Sequence, residues 1–303
     1  MALHDRYRAQ VRLLLRLVPF IDSEPCFALK GGTAINLFVR ELPRLSVDLD
    51  LVYLPMTSRD EALSDIHSSL GRIADAVGEK LGNVHVTRSW KNKEDALRLV
   101  VQEGTAQVKI ELSPVLRSTV CEPERREVSS HVEDEFGYAE ALVLSFPELY
   151  AGKICAALDR QHPRDLFDMW LLLKNEGITS DIRKLFLVYL VSHKRPAEEL
   201  LFPTHRPLDD LFRGEFQGMT RETISLEEIE SARSEMLRKI QSSLEEDEKH
   251  FLVSFHRNRP EWERLGLSGI ENLPAIRWKL HNIGRMPESK MREAASRLEE
   301  RLW

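Results

Sequence analysis

The segment at residues 46–54, SVDLDLVYL, constrains the fold more than any other part of the chain. Alternation with a period of two predicts a β-strand whose apolar side chains face one side and whose Asp48 and Asp50 face the other. A strand built only for packing avoids paired carboxylates, because burying a charge is costly unless a positive group compensates it. The pattern therefore predicts that a cation lies beside the two carboxylates of this strand.

Two glycines, Gly31 and Gly32, stand between a predicted strand at 26–29 and a predicted helix at 33–42. Thr33 is expected to N-cap that helix. Without a Cβ atom, glycine lets backbone N–H groups approach a polyphosphate, and the helix N-terminus adds positive charge. Because no Gly-Lys-Ser/Thr follows, the turn is not a P-loop, and it is not a GxGxxG dinucleotide turn either.

A third carboxylate, Glu111, lies in the predicted strand 107–112 and shares a face with Lys109. If this strand lies beside the Asp48 strand, Glu111 completes a cluster of three acids with Asp48 and Asp50. Mg²⁺ or Mn²⁺ would remove the repulsion between such acids, and three carboxylates can hold two metal ions for phosphoryl transfer.

The order of predicted elements indicates an α+β fold, with a mixed sheet and helices in residues 1–145 and an all-helical domain in residues 146–303. The charged stretch 121–135 is interpreted as a connection, and Ser145 with Glu148 as a capping box. The remaining predicted elements are strands at 84–88, 96–102 (after a polar stretch at 91–95) and 141–144, and helices at 58–82, 164–176, 180–193, 226–256 and 287–302.

The bulk composition limits the class of protein. A net charge of −6 over 303 residues provides no overall basic field, so contacts to nucleic acid need local basic patches. Three cysteines, far apart, indicate neither a metal site nor a disulfide framework and favour a reducing cytoplasm. No apolar run is long enough to span a membrane, so no membrane association is expected.

Several motifs together resemble the nucleotidyltransferase superfamily, and more closely the AbiEii/AbiGii (MenT-like) family of nucleotidyltransferase toxins. The motifs are KGGTAINLF, the R-x-S-x-D-x-D run from Arg44 to Asp50, KIEL, ELYAGKICAALDRQHPRDLFDMW, HFLVSF and LPAIRWKLHNI. The resemblance extends over almost the whole chain. It implies a bacterial, cytoplasmic toxin, of a toxin–antitoxin or phage-defence pair, that moves a nucleoside monophosphate from an NTP to an acceptor, in several members the tRNA 3′ end. A cognate antitoxin is the implied partner.

The resemblance also implies roles for individual residues. Asp48 and Asp50 would bind metal, with Glu111 as the third carboxylate by position. Lys153 would contact the triphosphate, and either Asp165 or Asp168 would be the remaining essential acid. The residues implied to line the phosphate and nucleotide site are Gly31, Gly32, Thr33, Ser46 and Arg164.

The residues of the second block allow a structural reading beside the functional one. Its helix is apolar almost all round and should be buried, with Arg164, Asp165 and Asp168 as its polar exceptions. A turn at 161–163 could fold the preceding helix, which carries Lys153, back beside it. An Arg164–Asp168 ion pair that only joins helices is at least as plausible as a catalytic role.

An RNA acceptor needs basic residues, and three groups are candidates. They are Arg6, Arg8, Arg12 and Arg16 on the first helix; His193, Lys194 and Arg195; and Arg277, Lys279, Arg285, Lys290 and Arg292. Trp170, Trp262 and Trp278 are interpreted as core residues rather than base-stacking platforms. Two alternatives stay open: an enzyme of this fold with a protein or small-molecule acceptor, and a nucleotide- or antitoxin-binding module without turnover.

Overall fold

The computed structural model describes residues 5–91 and 97–303, with the side chains of residues 7–90 and 97–303. Most of the polar stretch 91–95, the first residue of the strand predicted at 96–102 and the Arg6 side chain lie outside this description. The described strands form a seven-stranded mixed sheet in the order β3-β4-β5-β2-β1-β7-β6. They are β1 (Phe27–Lys30), β2 (Asp48–Tyr53), β3 (His85–Arg88), β4 (Arg98–Glu103), β5 (Ala106–Leu112), β6 (Glu124–Glu127) and β7 (Glu140–Val143).

The chain divides into two compact units. Unit 1 comprises Met1–Leu149 and Gly218–Thr223, and unit 2 comprises Tyr150–Gln217 and Ile224–Trp303. All seven strands lie in unit 1, and the described elements of unit 2 are helical. The α+β fold class, with a mixed sheet followed by helices, is thus confirmed. The assignment of separate domains with a boundary after residue 145 stays a prediction.

The central strands bring the predicted acids side by side. β2 runs parallel to β5, and Asp50 lies opposite Glu111. On its other side, β2 runs antiparallel to β1, with Asp50 opposite Lys30. The condition for placing Glu111 beside Asp48 and Asp50, that their strands are neighbours, is therefore met. The helices of unit 1 are α1 (Asp5–Asp22), the helical segments Gly31–Thr33 (α2) and Ala34–Val39, α3 (Arg59–Leu81) and α4 (Ser130–Phe136).

Unit 1 also includes a short segment from much later in the sequence, Gly218–Thr223, which we call the return segment. Arg44 forms an antiparallel bridge with Thr220, and the Leu45 amide donates to the Met219 carbonyl over 2.9 Å. The Arg221 amide donates to the Pro43 carbonyl, also over 2.9 Å. These backbone bonds fix the chain just before β2.

Helix α5 (Phe146–Arg160) begins at the end of unit 1 and continues into unit 2. The apolar faces of the unit 2 helices supply a core that includes Phe186, Phe251 and Phe255, all fully buried. No helix of the described part of the chain is long and apolar enough to cross a membrane. The further helices of unit 2 are α6 (Pro163–Asn175), α7 (Ser180–Ser192), α8 (Ala197–Leu201), α9 (Asp209–Leu211) with the helical segment Phe212–Phe216, α10 (Leu226–Ser243), α11 (Glu246–His256), α12 (Pro274–Gly284) and α13 (Glu288–Leu302).

Three local interpretations were wrong. The charged stretch 121–135 contains strand β6 and most of helix α4, because β6 pairs with β7 at the edge of the sheet. The proposed capping box at Ser145 does not form, because the Glu148 carboxylate accepts hydrogen bonds from the amides of Val120 and Cys121. The helix predicted at 226–256 is two helices, α10 and α11, since a capping box between Glu245 and Glu248 starts a new helix.

Candidate functional site

Strand β2 has the predicted two-sided character. Leu49 and Leu51 are fully buried, whereas Asp48 and Asp50 are half-buried on the opposite face. Side chains of directly paired residues on neighbouring strands lie on the same face, with Cβ atoms about 5 Å apart. The strand register therefore determines which side chains lie beside Asp48 and Asp50 on the same face of the sheet.

Each of the three sheet acids lies opposite a cation. Asp48 is paired with Lys109 on β5, and Asp50 with Lys30 on β1. Glu111 is paired with Arg98 on β4, and Nε of Arg98 lies 2.5 Å from its carboxylate. One row thus crosses four strands as Arg98, Glu111, Asp50 and Lys30, with the two acids between two cations. Neighbouring side chains supply the positive charge that the VDLDL pattern requires.

The glycine turn lies directly against this row. Gly31 has φ +75°, a conformation that side chains rarely adopt. A Cβ atom at this position would lie 2.4 Å from Oδ2 of Asp50. The absence of a side chain at residue 31 therefore lets the backbone approach the Asp50 carboxylate.

Thr33 connects the turn to β2. Its hydroxyl donates to the Asp48 carbonyl over 2.5 Å and lies 3.0 Å from Oγ of Ser46. Because Thr33 has one hydroxyl hydrogen, Ser46 is the donor in the second contact. The expectation that Thr33 N-caps a helix was wrong: the helical segment begins at Gly31, and Lys30 precedes it without a side-chain cap.

Lys30 ends β1 beside these groups. Burial lowers the pKa of its ammonium, while the charges of Asp50 and Glu148 oppose the shift. Glu148 is itself buried and bonded to backbone amides. Lys30 is thus a desolvated cation held between two carboxylates, a setting typical of functional sites as well as of structural ion pairs.

The residues of unit 1 fit a divalent metal in chemistry: carboxylate oxygens on one face are the ligands that Mg²⁺ prefers. The glycine turn keeps a Cβ atom away from one of them. Among the described residues, however, no three histidine, cysteine or acidic side chains converge closely enough to hold a metal ion. The metal roles of Asp48, Asp50 and Glu111 stay predictions.

In unit 2, Lys153 lies in a buried cluster with both candidate acids. Its Nζ is 3.2 Å from Oδ1 of Asp165 and 3.0 Å from Oδ2 of Asp168. Lys153 is 6% exposed, Asp165 3% and Asp168 0%. The predicted folding back of one helix on the next is therefore confirmed, and both aspartates, rather than one, hold the lysine.

The border of this cluster is more exposed. Arg160 contacts Asp165 over 2.8 Å, and its side chain is 60% exposed. Arg164 lies 3.7 Å from Glu215, which also lies 3.2 Å from Nε2 of His162. Asp168 pairs with Lys153, so the alternative of an Arg164–Asp168 pair is replaced by a Lys153-centred cluster. The assignment of Arg164 to nucleotide binding stays a prediction.

The candidate basic groups differ in how far acids neutralise them. On α1, Arg8 pairs with Glu135, and Arg16 with Glu103 over 2.7 Å.

Trp170 and Trp262 are half-buried and pack on phenylalanines, so they lie at the edge of the core rather than inside it. Trp278 does not: it is 53% exposed, so its interpretation as a core residue was wrong.

The sequence reasoning missed Lys30, Lys109 and Arg98 as partners of the acids. Lys109 shares its strand and its face with Glu111, which is a readable signal. Lys30 directly precedes the glycines, but its pairing with Asp50 depends on an antiparallel register that no local pattern specifies. Arg98 follows a polar stretch, and only the β4–β5 pairing brings it to Glu111.

Comparisons with known proteins agree with this architecture. A family model described as "Nucleotidyl transferase AbiEii toxin, Type IV TA system" matches residues 12–282. Among solved structures, the nucleotidyltransferase toxin MenT4 from Mycobacterium tuberculosis H37Rv is similar, with a TM-score of 0.62 and 15% sequence identity. The similarity covers 89% of this chain and 93% of that one. At this identity, it shows a shared fold. No curated protein sequence matches the chain.

Proposed function

Because the chain belongs to the AbiEii family of nucleotidyltransferase toxins of type IV toxin–antitoxin systems, we propose that it transfers a nucleoside monophosphate from an NTP to the 3′ end of a tRNA and so blocks translation. The observation that carries the proposal is the approach of Gly31 to Asp50, which places a backbone turn suited to phosphates against a pair of carboxylates on one strand. A cognate antitoxin belongs to the same proposal.

Within unit 1, Asp48 and Asp50, with Glu111 beside Asp50, are the residues that would hold Mg²⁺ or Mn²⁺. When bound, the metal supplies charge neutralisation for the triphosphate and for the leaving pyrophosphate. The amides of residues 31–33 and the hydroxyl groups of Thr33 and Ser46 would orient the phosphates.

The reaction joins the acceptor 3′-oxygen to the α-phosphorus and breaks the bond between that phosphorus and the β-phosphate oxygen. Pyrophosphate leaves, and the hydroxyl proton passes to a nearby carboxylate, for which Asp50 and Glu111 are the candidates. Positioning and charge neutralisation dominate this class of reaction. Lys153, Asp165, Asp168 and Arg164 remain proposed contributors to nucleotide binding.

Purified full-length protein with labelled NTPs, Mg²⁺ and total RNA tests the proposal. We expect a labelled species of tRNA size, and we expect Asp48→Asn to abolish labelling while its unfolding transition is unchanged. Asp134→Asn, an exposed aspartate on α4, is the matched control and should label normally.

Wild-type protein that releases pyrophosphate but labels no RNA would overturn the RNA acceptor and favour a protein or small-molecule acceptor. Nucleotide binding without pyrophosphate release would overturn the enzymatic proposal and favour a binding module.

A further inference from the structure

Helix α12 (Pro274–Gly284) carries an exposed pair of aromatic rings. The indole of Trp278 and the imidazole of His281 are stacked, with ring centroids 5.9 Å apart and an interplanar angle of 20°. The other exposed tryptophan, Trp303, donates its indole N–H to Glu246 and packs on His250. The indole N–H of Trp278 has no acceptor among the residues that the structure describes. Both the flat face of the Trp278 indole and its N–H donor are therefore accessible to a binding partner.

The sequence around these rings is strongly basic, although the whole chain has a net charge of −6. Residues 277–292 contain five lysines and arginines and one acid, Glu288. Arg292 pairs with Glu288. Arg277, Arg285 and Lys290 are exposed and form no ion pair within the described ranges.

Lys279 fixes this surface to a second basic segment of unit 2. Its ammonium donates to the His193 carbonyl over 2.5 Å and lies 3.4 Å from the carbonyls of Lys194 and Arg195. Three acceptors match the three donors of the ammonium group. These bonds hold the backbone of residues 193–195 against α12, so the basic segment 193–195 lies beside the basic residues of α12.

The titration of His193 agrees with a positive surface. Burial lowers the pKa of its imidazole, and the charges of Lys194, Lys279 and Arg195 lower it further, against the opposing charge of Asp159. At the C-terminal end of α12, a Cβ atom at Gly284 would lie 3.1 Å from the Asn258 side-chain amide.

We propose that the stacked rings of Trp278 and His281, together with Arg277, Arg285 and Lys194, form a surface that binds single-stranded RNA by stacking one unpaired base on the rings. This inference rests on the proposed function, because it names where the acceptor RNA is held in unit 2. Parallel aromatic rings between free cations match a base flanked by phosphates. An acidic peptide would use the cations but would leave the flat ring surface without a matching group.

The affinity of full-length protein for tRNA and for a short single-stranded RNA, measured against salt concentration, tests the inference. We expect Trp278→Ala to weaken binding of both RNAs about tenfold and Trp278→Phe to retain most of it, since phenylalanine also stacks. The double variant Arg277→Ala/Arg285→Ala should make the salt dependence shallower by about 0.7 per lost phosphate contact. Arg238→Ala, an exposed arginine of α10 without an ion pair among the described residues, is the control and should bind as wild type does.

Unchanged affinity of Trp278→Ala, with an unchanged unfolding transition, would overturn the inference. If such a variant still labels RNA, the proposed function stands and only the binding surface is wrong. If wild-type protein neither binds nor labels RNA, the proposed function fails as well.

Discussion

Gly31 lies so close to Asp50 that a Cβ atom at residue 31 would stand 2.4 Å from Oδ2 of the carboxylate. Gly31→Ala must therefore displace Asp50 as well as adopt a strained φ of +75°. We expect a loss of about 1–3 kcal/mol in the free energy of unfolding. Nucleotide transfer should fall about 100-fold if Asp50 has the role proposed for it, because a displaced metal ligand loses its alignment. Urea denaturation and the labelling assay measure the two effects.

Gly104→Ala is the matched control, because Gly104 also has a positive φ but has open space at its Cβ position. The Gly104→Ala variant should lose a similar amount of stability, because its backbone strain is similar, but it should keep its activity. Equal losses of activity in the two variants would contradict a special relationship between Gly31 and Asp50.

The exposed pair between Arg98 and Glu111 competes with any metal for the Glu111 carboxylate. Arg98→Ala should therefore lower the Mg²⁺ concentration at half-maximal activity about twofold to fivefold, since an exposed ion pair contributes about 0.2–1 kcal/mol. Glu111→Gln should raise that concentration. A Mg²⁺ titration of pyrophosphate release measures both changes, and no shift in either variant would show that Glu111 is a structural partner of Arg98 only.

Lys30 should make stability depend on pH in the alkaline range. Because burial lowers its pKa in the folded protein, the unfolded chain binds more protons between that lowered pKa and the ordinary lysine value. Stability contributed by this residue therefore rises as pH increases through that window.

Wild-type protein should accordingly gain stability relative to Lys30→Met as pH is raised towards the ordinary lysine pKa of about 10.4, as measured by urea denaturation at each pH. Lys290→Met, an exposed lysine in unit 2, should show no such trend relative to wild type. A flat difference between wild type and Lys30→Met would contradict the buried setting of Lys30.

The Lys153 cluster should be a major source of stability in unit 2. Lys153→Met leaves Asp165 and Asp168 buried without their shared cation, at a cost of about 3–5 kcal/mol. Arg160→Met removes a mostly exposed partner of Asp165, at a cost of about 0–1 kcal/mol. Urea denaturation of both variants tests the difference, and equal costs would contradict the burial described for Lys153. Loss of labelling by Lys153→Met can be assigned to nucleotide binding only at temperatures where that variant remains folded.

The sequence predicted the strand that carries Asp48 and Asp50, because alternation in a half-buried strand is a strong local signal. Its pairing with the Glu111 strand entered only as a condition, since no local pattern specifies which strands pair. It also predicted the close approach of Lys153 to the PRDLFD helix, because a short turn leaves few other arrangements. Lys30 and Arg98 were missed, since their pairing with the acids comes from long-range strand register. Thr33 was misread because its hydroxyl donates to the carbonyl of Asp48 on β2, a contact that the residues next to Thr33 do not indicate. Trp278 was misread because a tryptophan on an amphipathic helix is usually buried.

The return segment Gly218–Thr223 has a practical consequence for dissecting the protein. The chain passes between the two units three times, after Leu149, after Gln217 and after Thr223. A fragment that stops at residue 149 would leave the backbone groups of Pro43 and Leu45 without their partners just ahead of β2. Truncation is therefore a poor way to isolate the acid-bearing sheet, and a circularly permuted or tethered version that retains the six returning residues is the better starting point.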